Sequence, residues 1–246
     1  MFIGHYVPAF VAATLPSAPR LGTLFIAAQL VDLAFFLFVL LDIENMRITP
    51  GITAMNAMDL YFMPYTHSLL GSLAFGGIMT IIIWIAGKRR SSAEAPAASK
   101  DGGGVVIVIW PKVLVAGLIA GAVVLSHWFL DLLVHAPDLT WAGSPPKLGL
   151  GLWNYPLIEM PLELGITGTA LGFYLGRTKV ITGANMNPVY LLSGVMLVAQ
   201  MYNWLAPEPE TMDVSMPITA LIAFILFIWL ATRVDRTRVP KFATKG

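Results

Sequence analysis

Six runs of about 20 mostly apolar residues, each long enough to cross a bilayer core as a helix, constrain this chain more than any other feature. They cover 21–41, 66–87, 108–134, 156–176, 188–205 and 216–232. None alternates apolar and polar residues as barrel strands do. The expected fold class is therefore an all-α integral membrane protein, with about six transmembrane helices in a single polytopic domain over 1–246. Charged residues make up only 12% of the chain, about half the share of a soluble domain, which excludes an ordinary soluble enzyme. The bilayer is the expected surrounding. No nucleic-acid partner is expected, and no protein partner can be named.

The basic residues set the expected orientation. Lys88, Arg89, Arg90, Lys100 and Lys112 fall in one loop, Arg177 and Lys179 in another, and Arg233, Arg236, Arg238, Lys241 and Lys245 in the tail. The intervening loops are poor in Lys and Arg. By the positive-inside rule the basic loops are cytoplasmic, and six spans then put both termini inside. Residues 88–104 are low in complexity and read as a flexible cytoplasmic loop. The apolar segment 3–15 is too short to span and is broken by Pro16 and Pro19. It lacks the basic start of a signal peptide and is read as part of the mature protein. Trp128, Trp141, Trp153 and Trp204 fall near the outer interface and read as belt residues.

With no cysteine in the chain, a metal can be held only by His, Asp, Glu, backbone oxygen or water. His127, Asp131 and His135 are spaced i, i+4, i+8, which places them on one helix face within roughly 80°. Ionisable groups in a span are costly and face a bundle interior or a cavity; His and carboxylate one turn apart can grip a cation there. His67, in Pro64-Tyr65-Thr66-His67-Ser68, stands at the outer entrance of the second span, with Thr66 as a local cap. Asp32 lies mid-span and needs a partner or a proton. His5 reaches the same depth if residues 4–15 form a short re-entrant half-helix that turns at Pro16–Pro19, rising about 15–20 Å. Glu159 and Glu163 are i, i+4 at the outer end of the fourth span, where they can supply a general base or bind a second metal. Asp42 and Glu44 read as the polar end of the first span.

Gly4-His5, Thr66-His67-Ser68-Leu69-Leu70 and Ser126-His127 with Asp131 resemble the bacterial inner-membrane metal-dependent hydrolases, over roughly residues 1–155. A more distant likeness is to zinc-dependent phospholipase C, whose ligand order is similar to His5, Asp32 or Asp59, His67, His127, Asp131, His135, and Glu159 or Glu163. The resemblance implies a multi-pass protein of the inner (plasma) membrane. It implies a divalent metal, zinc first and manganese or iron as alternatives, held by His5, Asp32, His67, His127, Asp131 and His135. It implies hydrolysis of a phosphoester or lipid-linked substrate on the outer side, with Glu159 or Glu163 as base. Two other readings stay open: a non-catalytic subunit or scaffold with a structural or cofactor-binding polar cluster, and an ion or proton transporter.

Overall fold

The computed structural model describes residues 1–93, 110–207 and 209–241. These residues are mostly helical. A 3-10 turn, Ile3–Tyr6, leads into the short helix α1 (Val7–Ala12). Six long helices follow: α2 (Leu21–Leu40), α3 (Leu69–Ala93), α4 (Trp110–Val134), α5 (Pro156–Arg177), α6 (Asn187–Leu205) and α7 (Ser215–Asp235). Each lies where an apolar run ends within a few residues of its bounds, because an uninterrupted run leaves the backbone no better way to satisfy its own polar groups. Helix α3 continues to Ala93, past the expected end at 87. Most of the expected loop 88–104 lies outside the described residues.

Four of these helices are long and apolar enough to cross a membrane: α2, α3 to Arg89, α4 from Lys112, and α7. The other two match them in length and fall short in hydropathy. Glu159, Pro161, Glu163 and four glycines dilute α5, and Asn187, Gln200 and Asn203 dilute α6.

Helix α1 sits inside the bundle against α2, α4 and α5. Tyr6 stacks on Phe25 at 4.3 Å, and Phe10 meets the same ring edge-on at 5.3 Å, so aromatic side chains fill the centre. The segment begins as a 3-10 turn and ends at Ala12, shorter than the expected half-helix over 4–15. Helices α3 and α4 approach closely at Gly76 and Gly121: a Cβ on Gly76 would stand 2.8 Å from the Gly121 carbonyl oxygen. Thr80 Oγ1 bridges the same seam, donating to Gly76 O at 2.8 Å and lying 3.0 Å from Gly117 O. Small residues and a shared hydroxyl are how apolar helices associate when lipid is as apolar as they are. Asp235, at the end of α7, accepts Leu21 N and Gly22 N at 2.8 and 2.9 Å, capping α2.

Two small antiparallel sheets, unforeseen in the helical reading, tie the loops. β1 (Asn45–Ile48) pairs with β2 (Met58–Phe62) between α2 and α3. β3 (Thr178–Val180) pairs with β4 (Arg238–Pro240), joining the end of α5 to the tail. Buried Arg238 locks that joint through Thr178 Oγ1 at 2.8 Å and the carbonyls of Leu175 and Thr178 at 3.1 Å. Of the expected belt residues, Trp128 and Trp153 are buried instead. Trp128 packs on Trp141, and Trp153 lies against the His135 ring at 4.2 Å.

Candidate metal centre

Asp131 lies at the middle of a cluster that gathers all four histidines. Its Oδ1 is 3.0 Å from His5 Nε2 and 3.4 Å from His135 Nε2. Its Oδ2 is 3.0 Å from His127 Nε2 and 3.6 Å from His67 Nε2. Asp32 Oδ1 stands 3.3 Å from both His67 and His127. All six candidate metal ligands thus meet at one place, brought there by four chain segments. One helix, α4, supplies His127 and Asp131, and His135 follows immediately after it. The Met1 nitrogen is a further neighbour, 3.5 Å from Asp131 Oδ1.

Each imidazole except that of His5 is anchored through Nδ1. His127 Nδ1 is 2.9 Å from the Ala28 carbonyl, which can only accept, so this nitrogen carries the hydrogen. His135 Nδ1 is 3.0 Å from Asp138 Oδ1. His67 Nδ1 is 2.8 Å from Thr66 Oγ1, whose hydroxyl donates in turn to Glu44 Oε2. With Nδ1 donating, Nε2 of a neutral ring presents a lone pair inward, the tautomer that carboxylates and carbonyls impose on metal-binding histidines. Gln29 Nε2 holds Asp32 Oδ2 from one turn below, aiming Oδ1 at His67 and His127.

Geometry separates this cluster from a set of ordinary ion pairs. His127 Nε2 and Asp131 Oδ2 are buried and 3.0 Å apart, yet neither makes a hydrogen bond. The direction of the ring decides: the in-plane axis at Nε2, along which a proton or a lone pair lies, does not run to Asp131 Oδ2. The four measured edges among His67 Nε2, His127 Nε2, Asp32 Oδ1 and Asp131 Oδ2 run from 3.0 to 3.6 Å. A tetrahedral ion with ligands at 2.0–2.1 Å has edges of about 3.3 Å. These buried His and Asp groups could hold a metal ion. Five of the six side chains are no more than 4% exposed, while Asp32 is 17% exposed and marks the approach to the centre.

Several positioning groups lie outside the sequence expectations. Glu44, expected as a polar helix end, is fully buried and accepts Tyr65 N, Thr66 N and Thr66 Oγ1. Thr66 does not cap α3: Ser68 Oγ does, accepting Gly71 N at 3.0 Å, and His67 stands in the turn before the helix. The loop after α4 completes that helix start, its Thr140 and Trp141 carbonyls accepting Leu69 N and Leu70 N. No local pattern announces these pairings. Asp138 meets His135 in the turn that follows α4, beyond the helical spacing.

The two glutamates have different surroundings. Glu163 Oε1 accepts Phe2 N at 2.6 Å and Gly4 N at 2.8 Å, and Oε2 accepts Gln200 Nε2 at 3.0 Å. Gln200 Oε1 accepts Ile3 N. Glu163 is thus occupied in holding the segment that carries His5. Glu159 is fully buried with neither oxygen hydrogen-bonded. Neither makes an ion-pair contact with the histidines among the described residues. Asp59 is taken by Arg47 in the β1–β2 hairpin at 2.6 Å.

No family model matches the chain, and no curated protein or solved structure matches it either.

Proposed function

We propose that the protein is a membrane-embedded metal-dependent hydrolase acting on a phosphoester or another lipid-linked bond. The observation that carries this reading is the convergence of His67 Nε2, His127 Nε2, Asp32 Oδ1 and Asp131 Oδ2 at 3.0–3.6 Å, with these histidines anchored through Nδ1. His67, His127, Asp131 and Asp32 would hold the ion, zinc first by the nitrogen-and-oxygen donor set. A divalent ion in such a site supplies a Lewis acid and lowers the pKa of coordinated water toward neutrality. Asp32, the most accessible ligand, faces the incoming substrate. Glu163 is a positioning residue, and Glu159, unpartnered on the same helix, is the remaining candidate base.

The proposed topology has six spans, α5 and α6 included, with both termini cytoplasmic in the inner membrane and the centre in the outer half. The basic residues after α3, α5 and α7 support it. A lipid-linked substrate is supported by an open apolar groove of about 630 Å³ whose lining includes Tyr65 and Ser68, on either side of His67 in the chain, with Phe38, Phe75, Ile78 and Gly143.

One observation favours a second reading, a structural or cofactor-binding polar cluster without catalysis: five of the six ligand side chains are no more than 4% exposed. The experiment that separates the two measures bound metal in the purified full chain, together with turnover of an activated phosphodiester and of lipid phosphoesters. Bound zinc with turnover that His127→Ala abolishes is the expected result. Absence of metal in the wild type overturns the proposal, and metal without turnover favours the second reading.

A further inference from the structure

We propose that a pocket at the inner end of α2, α5 and α7 binds the phosphate of an anionic phospholipid headgroup. The pocket encloses about 220 Å³, and its lining includes Leu15, Arg20, Tyr174, Asp235 and Arg238. It lies where α2 begins and α7 ends, at one end of two helices long and apolar enough to cross a membrane. Asp32 stands about 16 Å further along α2 at 1.5 Å per residue, so the pocket is separate from the histidine cluster. The inference takes from the reading above only the orientation, which puts this end at the inner face.

Two buried side chains leave donors available to the pocket. Tyr174 is 3% exposed, and its hydroxyl has no hydrogen-bond partner among the described residues. Arg238 is 8% exposed. Its Nε and Nη2 donate to Thr178 Oγ1 and to the Leu175 and Thr178 carbonyls, while Nη1 has only Met186 Sδ, a weak acceptor. No carboxylate lies within 4.0 Å of the guanidinium among the described residues. Its central carbon is 6.0 Å from the Tyr174 ring centre, which brings the two donors to one space.

Charge decides between a mere helix cap and an anion site. Arg238 does take carbonyls at the C-terminus of α5, but that end carries the equivalent of only about half a negative charge. Asp235 accepts Leu21 N and Gly22 N, and the N-terminus of α2 offsets about half of its charge. With Arg20 and Arg238 both positive, the pocket keeps about one net positive charge. A buried cation is costly until an anion joins it, and guanidinium suits phosphate oxygens. The membrane supplies that anion. Arg177, Lys179, Arg233, Arg236 and Lys241 border this end of the helices, and basic pockets between helices on the cytoplasmic side take anionic headgroups. Leu15, exposed at the rim, offers an acyl chain an apolar contact.

The test titrates the detergent-purified full chain with phosphatidylglycerol, with phosphatidylcholine and with inorganic phosphate. Native mass spectrometry counts bound lipid, and the rise in Tm gives the affinity. About one phosphatidylglycerol per chain, held more tightly than phosphatidylcholine, is expected. Arg20→Gln should weaken it about 5-fold, the worth of one basic residue at an anionic surface. Tyr174→Phe should weaken it about 10-fold, the worth of a hydrogen bond to a charged group. Arg236→Gln, at an exposed position outside the lining, should leave the affinity unchanged. Arg20 is exposed, so its variant decides the matter if Tyr174→Phe fails to fold. Equal affinity for the two lipids overturns the proposal. A loss in Arg236→Gln as large as in Arg20→Gln overturns it too, since the lipid would then sit on a diffuse basic surface. Inorganic phosphate stabilising as strongly as phosphatidylglycerol overturns the lipid assignment in favour of a soluble anion.

Discussion

Glu163 Oε1 accepts the backbone N–H of Gly4 at 2.8 Å, and through this contact α5 sets where His5 stands. The same carboxylate takes Phe2 N and Gln200 Nε2, so one side chain satisfies three buried donors. Glu163→Ala is expected to destabilise the protein by about 3 kcal/mol, because charge-assisted hydrogen bonds are lost and their donors stay buried. Glu163→Gln keeps an acceptor and is expected to recover much of the loss. Thermal unfolding in detergent measures both. An alanine variant as stable as the wild type would contradict the positioning role.

Glu44 acts at one remove from the centre, through Thr66 to His67. Losing such an outer partner costs a metal site about 10–100-fold in affinity. Thr66→Val is expected to show a weakening of that size while the helical content stays unchanged. Competition against a chelator of known affinity reads it directly, and unchanged affinity would show that His67 is oriented by other means.

Metal loading is expected to weaken as pH falls. The ion takes neutral imidazole and ionised carboxylate, and protons compete for the same lone pairs. Each proton bound to the empty site must leave on loading, so acid shifts the balance toward the empty form. The difference in Tm between metal-loaded and chelator-treated protein should therefore shrink between about pH 8 and about pH 5.5. A difference that grows in acid would place the stabilising ion elsewhere.

Glu159→Gln probes the proton-moving role without touching a ligand. If Glu159 is the base, kcat should fall by about 100-fold or more while the metal content stays at the wild-type level. Equal losses of metal and activity would make Glu159 a contributor to the site's charge and remove it as a base.

Gly76 tests the helix seam. Its Cβ in Gly76→Ala would meet the Gly121 carbonyl oxygen at 2.8 Å, and the backbones must part. A loss of about 1–3 kcal/mol is expected. Gly168→Ala on α5 is the control, since a Cβ there meets nothing within 4 Å. Equal effects on Tm would contradict the close packing of α3 and α4.

The positions of the six long helices and the shared face of His127 and Asp131 were legible in the sequence, because each follows from period and length within one stretch of chain, whereas His135 lies just past the end of α4. Spanning strength was less legible, since glutamates and glycines in α5 lower hydropathy without breaking the helix. Tertiary structure alone decided that Asp131 offers one oxygen to each pair of histidines. It also decided that Ala28 O and Glu44, through Thr66, orient imidazoles on other segments, and that Glu163 holds the backbone around His5. The physical reason is range. A helix is made by bonds four residues apart, whereas these contacts join segments whose approach depends on how apolar surfaces pack, and packing leaves no periodic mark on the sequence.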